Sequence, residues 1–301
     1  MKTSVLSAAQ SIIPPSRQDM LQRDFDAHRF WHEHQRLLSE AWAEWGATTL
    51  GSPIDSSLFA PALRSAVEAS WREPDQEVEL AKLWREVFPG VYSAQFFDPA
   101  QLYRLRDYLE QAMAAGIPLR PPYGIALNRG GVMLDPRSAG NLAAPQFQAF
   151  YEELMNRYFR PIARMLFPDI IGLDDQTFGF TIRYEPGTDT ALQPHTDASS
   201  VTLNINMNRP GETYTGSGVR FYEHATQRVE ELQFGVGEAL LHHGRVPHEA
   251  RPILSGERSN MVVWLYGANG RTPRQGHQPD PKPANKRWCC PQVRSDGFAP
   301  F

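Results

Sequence analysis

Apolar and aromatic side chains recur at three- and four-residue spacing between Phe30 and Trp45, and Gly46 follows them directly. This period places the side chains on one face of a helix. The pattern therefore predicts a helix that ends at Gly46, with an aromatic stripe that packs against the rest of the molecule. Residues 60–88 show a weaker signal of the same kind, and we expect helical structure there as well.

Two further helices and one strand are predicted in the middle of the chain. Val91–Phe97 is a short apolar run typical of a strand. Asp98 then provides an N-cap, and the proline after it a first turn, for a helix that ends at Gly116. A longer helix is expected over about Pro145–Phe167, with a kink or break near Pro161 because proline cannot donate the helical hydrogen bond.

The second half of the chain has a different pattern, made of short alternating or β-branched runs that Gly, Pro and Asn separate. Many short strands with turn residues between them are typical of a sandwich or a barrel. We expect the helices of the first half to pack against this β-structure. The predicted strands are Tyr123–Leu127, Gly131–Leu134, Phe178–Tyr184, Val201–Met207, Val219–Tyr222, Val229–Phe234 and Met261–Tyr266.

The composition narrows the class of protein without indicating its chemistry. The 301 residues are 41% hydrophobic and 21% charged, which is typical of a globular chain. A net charge of -4 gives no general affinity for nucleic acid, and no apolar run approaches the ~20 residues that span a bilayer. The only two cysteines, Cys289 and Cys290, cannot form a disulfide framework. Because the N-terminus also lacks a strong signal-peptide core, a cytoplasmic location is expected.

The first candidate for chemistry is the pair His195 and Asp197, which lies just before a predicted strand. Residues two apart in an extended segment point to the same side, so the imidazole and the carboxylate could bind the same ligand. In the strand over Val201–Met207, the odd-numbered positions are apolar, whereas the even-numbered positions are polar. Such a strand suits a barrel whose interior holds a polar ligand.

The second candidate is a histidine-rich segment with His242, His243 and His248, any of which could complete a metal site with His195 and Asp197. Two histidines and one carboxylate hold Fe(II) on one side and leave positions open for a chelating cosubstrate and dioxygen. Zinc could use the same ligands. A strand-borne Arg258, ten residues after His248, favours an anionic cosubstrate instead, because a guanidinium grips a carboxylate with two hydrogen bonds.

These residues lie in segments that resemble the Fe(II)/2-oxoglutarate-dependent oxygenases, most closely their prolyl-4-hydroxylase and lysyl-hydroxylase-like branch. The resemblance implies an α+β fold with a mainly β core, a double-stranded β-helix (jelly-roll, cupin-like) that N-terminal helices buttress. The chain departs from the pattern of this branch at one place, because the branch has Gly-Gly where this chain has Ser217 between two glycines. The geometry of that turn is therefore in question. The matching segments are RYEPG (183–187), LQPHTDASSVTLNINM (192–207), TGSGVRFYE (215–223) and GEALLHHGRVPHEARPILSGERSNMVVWLYG (237–267).

The resemblance also implies roles for individual residues. His195, Asp197 and His248 would hold Fe(II), and Arg258 with Tyr184 would bind the distal carboxylate of 2-oxoglutarate. Dioxygen would be the second cosubstrate, with ascorbate as an optional reductant. The remaining candidates are Thr202 and Asn204 near the cosubstrate, and Trp264, His243, Arg245, Asn128 and Arg129 near the substrate.

The expected organisation is a helical N-terminal region (1–88), an oxygenase domain with supporting helices (89–270) and a proline-rich C-terminal tail (271–301). The expected function is hydroxylation of an unactivated C–H bond in an amino-acid-like, peptide or small natural-product substrate. No nucleic acid or membrane is expected as a partner, and a homodimer stays open. The alternatives are desaturation, epoxidation or ring formation with the same cofactors, or a non-enzymatic sensor or scaffold that binds metal or 2-oxoglutarate.

Overall fold

The structure is a computed structural model that describes residues 4–21, 25–49, 54–120, 134, 145–274, 276 and 282–290. The predicted strand pair at 123–127 and 131–134 lies outside the described residues, apart from Leu134, as does most of the C-terminal tail. Among the described helices, none combines the length and the apolar character that crossing a bilayer requires.

Nine α-helices precede, flank and follow the β-structure of the described chain. They are α1 (Val5–Gln10), α2 (Arg17–Leu21), α3 (Phe25–Thr48), α4 (Pro61–Arg72), α5 (Glu77–Ala81), α6 (Leu102–Ala114), α7 (Pro145–Glu153), α8 (Arg160–Leu166) and α9 (Ala284–Arg287). Short 3-10 turns cover Ser56–Leu58, Pro74–Gln76, Pro168–Ile170 and Ala268–Gly270.

The first predicted helix is confirmed as α3, the longest helix that the structure describes. Its predicted stripe is buried, with Trp31, Trp42 and Trp45 in the hydrophobic core. The predicted end at Gly46 is short by two residues, because the helix continues to Thr48. A glycine inside a last turn weakens a helix without ending it.

The other two predicted helices are confirmed with changes at their boundaries. Helix α6 begins at Leu102 rather than at the proline after Asp98, because Asp98 closes a turn in which its side chain accepts a hydrogen bond from Ala100. The break expected near Pro161 takes the form of a π-helical segment, Leu154–Phe159, that joins α7 to α8. A π-segment shifts the hydrogen-bond pattern where an α-helical bond would be lost.

Twelve strands form three antiparallel sheets in the described chain. The strands are β1 (Arg85–Phe88), β2 (Val91–Gln95), β3 (Gln176–Tyr184), β4 (Leu192–His195), β5 (Val201–Asn206), β6 (Tyr214–Gly216), β7 (Val219–Glu223), β8 (Arg228–Leu232), β9 (Glu238–His243), β10 (His248–Ala250), β11 (Ile253–Gly256) and β12 (Arg258–Tyr266). The large sheet has the order β1-β2-β9-β5-β12-β3, the small sheet β4-β10-β7-β8, and β11 pairs with β6.

The two faces of the large sheet have different partners. On β5, Val201, Leu203 and Ile205 join the same hydrophobic cluster as the N-terminal helices, as the alternation predicted. The opposite face meets the small sheet, where for example Leu240 of β9 packs with Phe221 of β7. The polar even-numbered positions of β5 therefore point between the two sheets.

This arrangement confirms the predicted double-stranded β-helix, with helices against the outer face of its large sheet. All five strands predicted after Phe178 are present, with ends shifted by a few residues. The helical expectation for residues 60–88 is wrong at its end, because Arg85–Phe88 is a strand that pairs with Val91–Gln95. The domain boundaries at 88 and 270 stay predictions, since the N-terminal helices and the sheet share one hydrophobic cluster.

Candidate metal centre

His195, Asp197 and His248 meet where two strands of the small sheet lie side by side. His195 ends β4 and is directly opposite His248, the first residue of β10. The Nε2 atom of His195 lies 3.5 Å from Oδ1 of Asp197, and that of His248 lies 3.8 Å from Oδ2. One ligand atom from each residue lies within 4.8 Å of the others, so a single ion could contact all three.

The hydrogen bonds of the two imidazoles suit metal binding. Nδ1 of His195 lies 2.7 Å from the carbonyl oxygen of Gln193, and Nδ1 of His248 lies 3.0 Å from that of Val246. A carbonyl can only accept, so each Nδ1 carries the proton that it donates. Each Nε2 then keeps its lone pair toward Asp197, which is the tautomer that a metal requires.

Asp197 is held in its ionised form despite its burial. Burial by itself would raise the pKa of the carboxyl, but the adjacent imidazoles of His248 and His195 and the hydroxyl of Thr202 together lower that pKa well below its usual range. Thr202 donates a 2.5 Å hydrogen bond to Oδ2. A carboxylate and two imidazoles give the donor set of non-haem Fe(II) sites, and they leave one side of an ion open.

Gly244 positions the segment that carries Asp197. The amide of Asp197 donates to the carbonyl of Gly244 at 2.9 Å. A Cβ at position 244 would lie 2.2 Å from the carbonyl oxygen of Ser199, so a larger residue would displace the segment. The glycine in the histidine-rich segment therefore lets two backbone segments approach each other closely beside the candidate metal ligands.

The two other histidines of that segment lie on opposite faces of β9. His242 points between the sheets, and its ring centroid is 4.7 Å from that of His248. Burial lowers the pKa of His242 to about 3, so this imidazole is neutral. His243 points to the outer face, where it packs on Phe167 and its Nε2 lies 3.3 Å from Asp169. Of the three histidines in this segment, the structure thus brings only His248 into the candidate metal-binding group with His195 and Asp197.

The residues predicted to meet substrate are dispersed. Arg245 is half exposed and contacts Asp169 on the same side as His243, away from the space between the sheets. Trp264 lies on the inner face, pairs across the strands with Thr202 and packs on Phe178. The two remaining candidates, Asn128 and Arg129, lie outside the described residues.

Arg258 forms a second buried polar group on the inner face. As predicted, it begins β12, and only 1% of it is exposed. Its guanidinium lies over the ring of Tyr184 at 4.5 Å, and Nη1 donates to the carbonyl oxygen of Ser217. Its Nε atom is buried without a hydrogen-bond partner, and among the described residues no carboxylate pairs with it. An uncompensated buried cation is costly, so this position favours an anionic ligand.

Asn260 is a polar residue of this face that the sequence analysis did not select. Its side chain is fully buried and donates to Asn204 at 2.5 Å, whereas its Oδ1 atom has no hydrogen-bond partner. Its shared parity with Arg258 on β12 was the signal that could have found it. The unpartnered atoms of Arg258 and Asn260 indicate that a polar ligand or water completes this interior.

The comparison with protein families agrees with this geometry. Residues 165–266 match the 2OG-Fe(II) oxygenase superfamily, and this segment contains every strand from β3 to β12. The fold and the His–Asp–His group are those expected of the 2-oxoglutarate- and iron-dependent oxygenases, and residues 165–266 match a domain of that superfamily.

Curated relatives with similar sequences agree with this match. A 2-oxoglutarate and iron-dependent oxygenase domain-containing protein of Arabidopsis thaliana is 28% identical over 72% of this chain and 54% of its own length. A protein of that description from Mus musculus is 35% identical over 71% of this chain and 60% of its own. The rat procollagen-lysine,2-oxoglutarate 5-dioxygenase 1 is 33% identical over 40% of this chain and 16% of its own. The chain thus spans little more than half of the first two relatives.

The contact between Thr202 and Asp197 leads to the first prediction. Thr202→Val keeps the side-chain shape but removes the hydroxyl that orients the carboxylate, so we expect affinity for Fe(II) to fall about 10- to 100-fold. Anaerobic titration with Fe(II) measures it. Thr226→Val is the matched control, because that hydroxyl is exposed and bonds Glu223 instead. Equal affinity in the Thr202 variant and the wild type would show that the hydroxyl does not support the ligand.

Proposed function

We propose that this protein is an Fe(II)- and 2-oxoglutarate-dependent dioxygenase that hydroxylates an unactivated C–H bond. The observation that carries the proposal is the pairing of the His195–Asp197–His248 group with the uncompensated buried guanidinium of Arg258. Tyr184 contacts the guanidinium, and its pKa is raised by burial and by the negative charge of Asp197. A metal ion bound by the His–Asp–His group could be chelated by one end of a dicarboxylate cosubstrate. The carboxylate at the other end of that cosubstrate would then pair with Arg258.

In this proposal the Nε2 atoms of His195 and His248 and the carboxylate of Asp197 hold Fe(II). Two neutral imidazoles and one carboxylate leave a divalent ion with net positive charge, which attracts an anionic chelator. Zinc would fit the same ligands, but a zinc hydrolase binds no anionic cosubstrate and would not require a buried guanidinium without a counter-ion. The choice of iron therefore rests on Arg258 as much as on the three ligands.

Arg258 would bind the distal carboxylate of 2-oxoglutarate with its planar fork and thereby orient the other end of the molecule. Tyr184 lies against the guanidinium and limits its movement. Thr202 keeps Asp197 in place, and Asn204, held by Asn260, lines the interior beside it. When bound, iron and 2-oxoglutarate supply the oxidation of a C–H bond by dioxygen, with succinate and carbon dioxide as co-products.

The proposed substrate is an amino-acid side chain, in a peptide or as a free amino acid or small natural product. The lysine named in the rat relative supports this class, and no observation on this chain selects one member of it. Trp264, buried at the level of Thr202, is the substrate-facing candidate that lies between the sheets. A cytoplasmic location belongs to the proposal and rests on the scarcity of cysteines, two in 301 residues.

The test of this function begins with cosubstrate binding in the absence of oxygen. Adding 2-oxoglutarate to the protein and Fe(II) should produce a weak visible charge-transfer band, which 2-oxoglutarate and iron without protein do not give at the same concentrations. Admission of oxygen with a screen of amino acids, peptides and small metabolites should then release succinate. A chain that shows neither the band nor succinate release would not be an oxygenase of this class.

A further inference from the structure

Ser217 occupies an unusual position in the turn between β6 and β7. Its φ angle is +55°, in the left-handed region where a residue with a Cβ is disfavoured and glycine is not. The turn is fixed from outside, because the Ser217 amide donates to the carbonyl of Pro252 at 3.0 Å. A Cβ on the neighbouring Gly216 would lie 2.4 Å from that same oxygen. The backbone therefore requires this conformation whichever residue stands at 217.

The side chain of Ser217 has no structural partner to justify that strain. The residue is fully buried, and its hydroxyl has no hydrogen-bond partner among the residues that the structure describes. A buried hydroxyl without a partner is unfavourable, so both features of Ser217 destabilise the protein as it stands. A glycine here would remove both costs.

The carbonyl of Ser217 is the group that holds Arg258. Nη1 of Arg258 donates to this oxygen, while Nε of Arg258 is buried without a partner, like the serine hydroxyl. The unpartnered donors of Ser217 and Arg258 thus belong to two residues in direct contact. These two touching residues together offer two unpartnered donors and a positive charge, which suit a carboxylate because it can accept several hydrogen bonds.

We propose that the hydroxyl of Ser217 donates a hydrogen bond to the carboxylate that Arg258 binds, so that Ser217 is a further cosubstrate-binding residue. The inference rests on the proposed function, since it takes this anion to be the distal carboxylate of 2-oxoglutarate. Ser217 then has two roles at once: its carbonyl orients the guanidinium, and its hydroxyl contacts the ligand. The strained serine selects for 2-oxo acids that carry a second carboxylate at the correct distance.

Two substitutions separate the hydroxyl from the backbone strain. Ser217→Ala removes the hydroxyl and keeps the Cβ, whereas Ser217→Gly removes the hydroxyl and relieves the left-handed conformation. We expect both variants to bind 2-oxoglutarate about tenfold more weakly than the wild type, because a hydrogen bond to a charged group is lost. The glycine variant should also melt at a higher temperature than the alanine variant.

The experiment is anaerobic calorimetric titration of the Mn(II)-loaded full chain with 2-oxoglutarate and with 2-oxopentanoate, which has no distal carboxylate. The tenfold difference should appear with 2-oxoglutarate and vanish with 2-oxopentanoate. Gln227→Gly is the matched control, since Gln227 is exposed with a φ of +57° in the turn between β7 and β8. It should raise the melting temperature and leave both affinities unchanged.

Three results would overturn the inference, and they differ from one another. Wild-type affinity in both Ser217 variants would mean that the hydroxyl bonds only water. Equal weakening with both oxo acids would mean that the turn supports the site without contacting the carboxylate. If the wild-type protein binds Mn(II) but neither oxo acid, the proposed function itself fails, and the inference fails with it.

Discussion

Asp197→Ala should reduce succinate formation by at least about 100-fold, because it removes the one carboxylate from the group that holds the metal. Substitution of a residue that only supports a metal ligand lowers metal affinity or activity by about 10- to 100-fold. We therefore expect loss of a ligand itself to lower activity by more than this. The substitution also leaves two imidazoles without the negative charge that balances a divalent ion. Succinate release and bound Fe(II) are the two measurements, and both should fall together.

The control for this prediction is Asp107→Ala on α6. Asp107 is half exposed, pairs with Arg209 and lies on a helix that packs against the outer face of the large sheet, so its loss should leave iron binding and turnover unchanged. A melting curve establishes that each variant is folded. Wild-type turnover in a folded Asp197 variant would contradict the assignment of this residue as a metal ligand.

Arg258→Leu should raise the dissociation constant for 2-oxoglutarate by two orders of magnitude or more. Truncating one partner of a buried, hydrogen-bonded charge pair costs about 2–5 kcal/mol, and each 1.4 kcal/mol is a factor of about ten in affinity. Without 2-oxoglutarate the same variant should be more stable than the wild type, because a buried cation without a counter-ion is replaced by an apolar side chain. Calorimetric titration and thermal unfolding measure the two effects.

The sign of the second effect distinguishes a ligand-binding arginine from a structural one. A structural Arg258 would destabilise the protein when replaced, both with and without cosubstrate. Arg258→Lys keeps the charge but loses the planar fork, so it should fall between the wild type and the leucine variant in affinity. Arg220→Leu, which removes a guanidinium from the ion pairs with Glu231 and Glu249, should not change the affinity. Unchanged binding in Arg258→Leu would refute the proposed anion site.

Short-range patterns predicted the parts of the site that depend on neighbours in sequence. His195 and Asp197 have the same parity, and in the structure their side chains do converge. The Ser-Gly turn before Arg258 was expected to place it at the start of a strand, and β12 begins there. The alternation in β5 correctly divided its core-facing residues from its polar ones. Each of these features needs only the geometry of an extended chain.

The choice among three histidines could not be made in the same way. The run Leu240–His243 has no alternation of apolar and polar residues, so its pattern leaves the face of each imidazole undecided. Pairing of β9 with β5 on one side and β2 on the other turns His242 inward and His243 outward. The outward face then brings His243 to Asp169, a contact between residues 74 positions apart that the spacing of the motif does not show.

By itself the sequence determined the kinds of element, the candidate ligand pair His195 and Asp197, the position of Arg258 at the start of a strand and the resemblance to one superfamily, because these depend on residues that are close together in the chain. Only the tertiary structure decided that His243 faces away from Asp197, that Arg258 has no carboxylate partner among the described residues, and that Ser217, whose buried hydroxyl has no partner there, contacts Arg258 through its carbonyl. These facts depend on strand order and on which groups the folded chain leaves unpaired. Both arise from contacts between distant segments, which local pattern does not specify.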